Sequence, residues 1–132
     1  MQSHGPAASI RSLVAPVTAA LPGMPISLQL HDTRGLGLAN MLAGYEAGVR
    51  TVDVCGVGLG NCPFVKGAAG NAPTEDSVNM LESMGIATGI SLPVPLPAVE
   101  FLAATLGRPL PGRMKKVLAF QQACCAETGN TG

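Results

Sequence analysis

The chain has 132 residues, with 8 Lys and Arg balanced by 8 Asp and Glu, so its formal net charge is zero. Charged residues make up 12% and aromatic residues 3%, without a Trp, which excludes the basic stripes and stacking rings of a nucleic-acid-binding surface. No apolar run approaches the ~20 residues of a membrane span; the best candidate, 13–21, is broken by Pro16 and closed by Pro22.

Met1 to Gly5 is expected to fray, and Pro6 suits the first turn of a helix. Ile10, Leu13, Val14 and Val17 then recur at helical spacing, which predicts an amphipathic helix to about Leu21. Pro22-Gly23 ends it, and Pro25 leads into the alternating strand Ile26-Ser27-Leu28-Gln29-Leu30-His31. Asp32 to Gly35 is a short strand-to-helix loop. A helix over Leu38 to Ala47 follows, with Leu38, Leu42 and Tyr45 on one face and Gly48 as its stop.

Val49 to Cys55 reads as a second strand, with Val52 and Val54 on one face and Asp53 and Cys55 on the other. Gly56 to Pro73 is long and Gly-rich, a length that inside a compact domain marks a functional or mobile loop. Thr74 is placed as N-cap of the next helix, with Glu75 and Asp76 in its first turn and Gly85 as its stop. This helix turns Val78, Leu81 and Met84 inward. Ile86 to Leu92 is an extended link. Helices over about Pro97 to Leu106 and Arg113 to Cys125 follow, and Glu127 to Gly132 is expected to be disordered.

Strands alternating with helices predict right-handed βαβ crossovers and a parallel sheet, hence an α/β fold. Small apolar residues, 17 Gly and 11 Pro agree with a buried sheet wrapped by helices. Only two or three strands are visible, too few to close a barrel. Cys55, Cys62, Cys124 and Cys125 form no CxxC pair and are expected as reduced thiols of a cytoplasmic protein.

His31 sits where a strand hands over to a loop, the position at which parallel α/β folds place their chemistry. Strand alternation puts Gln29 on the same face. Two imidazoles at that spacing would hold one divalent cation; Gln29 offers an amide oxygen instead, or the pair only hydrogen-bonds inside a barrel mouth. Asn71 can complete an oxygen-rich coordination sphere or serve as a turn residue. Cys62, between Gly60 and Pro63, can reach a substrate from a flexible loop. Gly56-Val57-Gly58-Leu59-Gly60 is not a dinucleotide fingerprint, because no helix opens after the third Gly.

Taken in order, Leu30 to Asn40, Ala47-Gly48-Val49, Gly58-Leu59-Gly60-Asn61-Cys62-Pro63-Phe64, Gly67-Ala68-Ala69-Gly70-Asn71 and Thr74-Glu75-Asp76 resemble the C-terminal half of the hydroxymethylglutaryl-CoA lyase family, over about Arg11 to Gly107. The resemblance implies the last three or so units of a (β/α)8 (TIM) barrel over 1–110, then a C-terminal helix and flexible tail over 111–132. It implies a Mg²⁺- or Mn²⁺-dependent lyase that cleaves 3-hydroxy-3-methylglutaryl-CoA to acetyl-CoA and acetoacetate. His31 then matches the second His of the family's HxH metal motif, Asn71 the Asn that also approaches the metal, and Cys62 the loop Cys that assists proton transfer. Gln29 falls on the first His, a departure from the pattern. The family's metal-binding Asp and catalytic Arg on the first strand, and a Glu on the second, have no counterpart. The chain is expected to begin just after the fifth strand. The implied partners are an acyl-CoA substrate and either further copies of the chain or a complementing N-terminal half. The other reading is a non-catalytic assembly module, or a lyase on another acyl-CoA.

Overall fold

The computed structural model describes residues 2–3, 7–60, 69–92, 96–107 and 110–128. Strand β1 (Gln2–Ser3) leads into helix α1 (Ala7–Ala20), β2 (Ser27–Leu30), α2 (Gly37–Glu46) and β3 (Thr51–Asp53). A 3₁₀ turn (Gly56–Gly58) follows β3. Helices α3 (Thr74–Ser83), α4 (Leu96–Leu106) and α5 (Met114–Thr128) complete the order. The sheet has the order β1-β2-β3 with both pairings parallel. Gln29 stands beside Gln2 on one side and Asp53 on the other. Each crossover is a helix, as the alternation of strand and helix patterns requires.

The sequence pattern predicts fraying over 1–5 and a first strand over Ile26 to His31. The structure instead pairs Gln2 and Ser3 with Gln29 and Leu30. Two residues carry no periodicity, so only the neighbouring strand reveals them as a strand.

Along β2 the side chains alternate as the pattern demands. Leu28 and Leu30 are fully buried, and Ser27 and Gln29 are half-buried on the other face. The two leucines meet Ile10 and Val14 of α1, Met41 and Ala43 of α2, Val49 and Ala72. Val52 and Val54 pack against this core, whereas Asp53 is exposed. Burying a leucine side chain contributes about 1.5–3 kcal/mol, so this layer is what fixes β2 against α1 and α2.

The buried stripe of α2 is not Leu38, Leu42 and Tyr45, which are half-buried, but Gly37, Asn40, Met41, Ala43 and Gly44. The reason is close approach. A Cβ on Gly44 would collide with Leu28 Cδ1, so the helix seats its small residues on the sheet. In α3, Val78 is buried and Leu81 half-buried against the core, while Met84 is exposed. In the last turn of α3, Glu82 accepts from the hydroxyl and the backbone N–H of Thr88, both at 2.7 Å. These bonds, the hydroxyl's first, hold the exposed Glu82 carboxyl below its usual value.

Helix α4 packs through Val99, Leu102 and Ala103 on a second, smaller cluster with Val57 and Leu110. A cavity of about 390 Å³ lies between α2, β3, α3 and residues 86–90, lined by Met41, Val52, Val54, Val78, Leu81 and Ile86 among others. It opens on the helix side of the sheet, away from Gln29 and Asp53. Among the described residues no helix is long and apolar enough to cross a membrane, and Cys55 is a free thiol.

Candidate functional site

The strand β2 ends at a branch point. Beyond Leu30 its backbone leaves the β2–β3 pairing, and residues 70–73 fill the space between the carboxyl ends of the two strands. Ala72 N–H donates to the Leu30 carbonyl at 2.8 Å, and the Ala72 carbonyl accepts from Cys55 N–H at 3.2 Å. Asp32 N–H donates to the Gly70 carbonyl at 3.1 Å, and His31 lies opposite Asn71 in an antiparallel bridge. Cys55 and Pro73 form the matching bridge on the β3 side. The Gly-rich segment therefore closes back on the strand end that it follows in space, not on the strand that precedes it in sequence alone.

This return requires a narrow neck. Asn71 N–H donates to the Leu59 carbonyl at 3.4 Å, and a Cβ on Gly70 would overlap the Gly58 carbonyl oxygen. Only glycine lets the two strands of the neck pass so closely.

The neck brings three of the four residues singled out from sequence into one place. Gln29 Nε2 donates to Asn71 Oδ1 at 3.5 Å, a long bond, and His31 is 6% exposed beside them. Gln29 is half-buried on the strand face opposite Leu28 and Leu30, and His31 follows one residue past the strand end. The fourth residue, Cys62, lies outside the described residues.

Asp53, level with Gln29 on β3, accepts from Ser27 Oγ at 3.1 Å. The other nearby carboxylate is turned away: Asp32 Oδ1 accepts from Gly37 N–H at 2.6 Å and so satisfies the first turn of α2. This role was not legible in the Asp32 to Gly35 loop by itself. Asp32 fixes the loop immediately after His31, and so fixes where the imidazole leaves the strand.

The acids Glu75 and Asp76 were expected to serve the dipole of α3 behind a Thr74 cap. The N-cap position is instead Pro73, with no side-chain cap, and Thr74 is already helical. The Ser77 hydroxyl donates to the Pro73 carbonyl at 2.6 Å. Both acids are buried and reach across the molecule. Asp76 accepts from the backbone N–H groups of Arg113 and Met114 at 3.0 and 2.7 Å, capping α5. Glu75 accepts from Val57 N–H through both oxygens, at 3.2 and 2.9 Å. Their partners lie 18 and 37 or more residues away in sequence, so no local motif announces them.

As a donor set for a divalent cation, the cluster consists of one imidazole and two neutral amides. One of the amide oxygens already accepts from the other amide. Among the described residues, no group of three or more His, Cys, Asp and Glu side chains is placed to hold a metal ion. A hard cation such as Mg²⁺ prefers carboxylates, and the cluster lacks one. What the arrangement offers is a polar rim: an acid–base group and two amides at the carboxyl end of a parallel strand.

A family model described as HMGL-like matches residues 4–96. The chain is 40% identical over 110 residues to a hydroxymethylglutaryl-CoA lyase of Bacillus subtilis, covering 83% of this chain and 37% of that protein. It is 38% identical over 107 residues to an (R)-citramalyl-CoA lyase of Chloroflexus aurantiacus, covering 81% and 34% respectively. Among solved structures it superposes on an HMG-CoA lyase of Acinetobacter baumannii, determined in complex with coenzyme A and 3-methylmalate. The TM-score is 0.78 at 41% identity, over 85% of this chain and 37% of that one. The HMG-CoA lyase of Bacillus subtilis gives a TM-score of 0.82 at 36% identity, over 89% and 41%. The chain thus spans little more than a third of the length of the curated relatives it matches.

Proposed function

This chain belongs to the HMGL-like family, and we propose that it forms part of a (β/α)8 barrel that cleaves a carbon–carbon bond in a 3-hydroxyacyl-CoA. The substrate in this reading is 3-hydroxy-3-methylglutaryl-CoA, and the products are acetyl-CoA and acetoacetate. The observation that supports it is the convergence of Gln29, His31 and Asn71 at the carboxyl end of β2. Breaking such a bond takes a proton from a tertiary hydroxyl and returns one to the carbon of an enolate, so the site needs an acid–base group beside fixed hydrogen-bond donors. His31 is the acid–base group of the cluster. The amides of Gln29 and Asn71 can orient hydroxyl and carboxylate oxygens. Cys62, outside the described residues, is assigned the delivery of a proton to the enolate carbon.

The same reading calls for Mg²⁺ or Mn²⁺, with His31, Asn71 and Gln29 as the donors from this chain. One imidazole and two amides fall short of a resident site, so no step is assigned to a metal. Little turnover by the chain alone is the expected result. Acetoacetate release is measured with 3-hydroxy-3-methylglutaryl-CoA and Mg²⁺, with citramalyl-CoA in parallel because one relative acts on that thioester by name. Robust acetoacetate release by the chain alone would overturn the reading of a weakened site. Cleavage of citramalyl-CoA alone would reassign the substrate.

A second reading, assembly without catalysis, is supported by the sheet itself. Parallel sheets are stable when covered on both faces. Here the face carrying Ser27, Gln29 and Asp53 is only half covered or exposed. A further copy of this chain, or a chain with the remaining strands of a barrel, would cover it; nucleic acid and membrane are not partners in either reading. The chain is expected to self-associate in a cytoplasmic setting. Light scattering over a wide concentration range checks this, and a monodisperse monomer throughout would count against it.

A further inference from the structure

The neck of the Gly-rich segment contains a strained residue. Val57 has φ +52° and ψ 18°, left-handed backbone in a β-branched residue, and its side chain is fully buried. A β-branched residue in this region is a genuine outlier, and it persists only when its surroundings hold it there. Three groups do so. The Val57 N–H is held by both oxygens of Glu75, itself 1% exposed. The Val57 carbonyl accepts from Gly112 N–H at 3.2 Å. The Val57 side chain packs with Val99 and Leu110. Just past Val57, Gly58 and Leu59 form the wall against which Gly70 and Asn71 cross.

We propose that Glu75 is a positioning residue: by holding the Val57 N–H from within the core it fixes the neck, and so presents the Asn71 side chain to Gln29 and His31. The proposal rests on reading those three residues as the site. It gives a buried acid a task that helix-dipole stabilisation does not explain, since its oxygens point at another segment's backbone.

Two variants separate reach from charge. Glu75→Gln keeps an oxygen at the right distance and loses the ionisable group. Glu75→Asp keeps the ionisable group and withdraws it by one methylene, out of reach of Val57. Amide hydrogen exchange, followed residue by residue on the full chain, reads the outcome without substrate or metal. In Glu75→Asp, exchange at Val57 and Asn71 is expected to rise by about tenfold or more, the scale of one buried hydrogen bond left unmade. Exchange at Met41 and Ala43 of α2 is expected to stay within about threefold of the parent, because those amides lie inside the helix Gly37–Glu46 and are held by its own backbone bonds. Glu75→Gln is expected to restore protection at Val57 and Asn71 to within about threefold.

Equal loss of protection at all four amides, or unchanged protection at Asn71 in Glu75→Asp, would overturn the proposal. If Glu75→Asp does not fold, Glu75→Gln decides: parent-like protection at Asn71 supports the proposal and its loss refutes it. Since the readout involves no turnover, the two readings fail separately: robust acetoacetate release overturns the reading of a weakened site whatever the exchange pattern, and absence of the pattern overturns the positioning role whatever the turnover.

Discussion

Gln29→His is expected to raise the affinity of the chain for Mn²⁺ by roughly tenfold or more, since even an outer-shell partner of a ligand is worth that much. Gln29 lies in β2 and His31 one residue past its end, with Asn71 Oδ1 3.5 Å from Gln29 Nε2. An imidazole at position 29 would stand beside that of His31, and it would release Asn71 Oδ1 from the amide that now donates to it. Mn²⁺ accepts nitrogen more readily than Mg²⁺ does, which makes it the sensitive probe. Calorimetric titration of the parent and the variant at neutral pH, where imidazole is a competent neutral ligand, measures the change. The gain should vanish in Gln29→His combined with His31→Ala. A variant that binds no better than the parent would show that the strand end has lost more than one ligand.

Gly70→Ala carries the largest expected effect on stability. Its Cβ would overlap the carbonyl oxygen of Gly58, a backbone atom that cannot rotate aside, so the neck must open. Overpacking of this kind costs about 1–3 kcal/mol, and here it would also part Asn71 from Gln29 and His31. Denaturant unfolding gives the stability loss. Gly56→Ala is the control: nothing lies within 4 Å of a Cβ at Gly56, and its φ is not left-handed. Its cost should remain within about 0.5 kcal/mol. Equal costs for the two variants would mean that the close crossing at Gly70 is not what holds the segment in place.

The face chosen by α2 shows how far pattern alone reaches. Hydropathy spacing selects Leu38, Leu42 and Tyr45, because an apolar stripe is the only helical signal a sequence displays. The helix buries Gly37, Asn40, Met41, Ala43 and Gly44 because Leu28 needs the room that Gly44 leaves. A missing side chain is invisible to hydropathy and decisive for approach. The same holds for Gly70 at the neck.

Placement of the chemistry divides along similar lines. That His31 ends a strand, and that Gln29 shares its face, follow from alternation along a handful of residues. That Asn71 meets them does not, since 42 residues separate it from Gln29 and the bond depends on a segment wedged between two strand ends. Nor do the tasks of Asp32, Glu75 and Asp76, which read as loop or dipole residues and act as backbone clamps.

Residue order alone established the alternation of parallel strands and helices, the apolar side of each strand and the family to which the pattern points. These are local properties: periodicity, turn chemistry and short motifs are written in neighbouring residues. Folding in space settled which helix face meets the sheet, which strand residues 70–73 join and which buried acids hold the neck. Those outcomes depend on steric fit and on hydrogen bonds between distant backbone groups, and neither is encoded in any single stretch of chain.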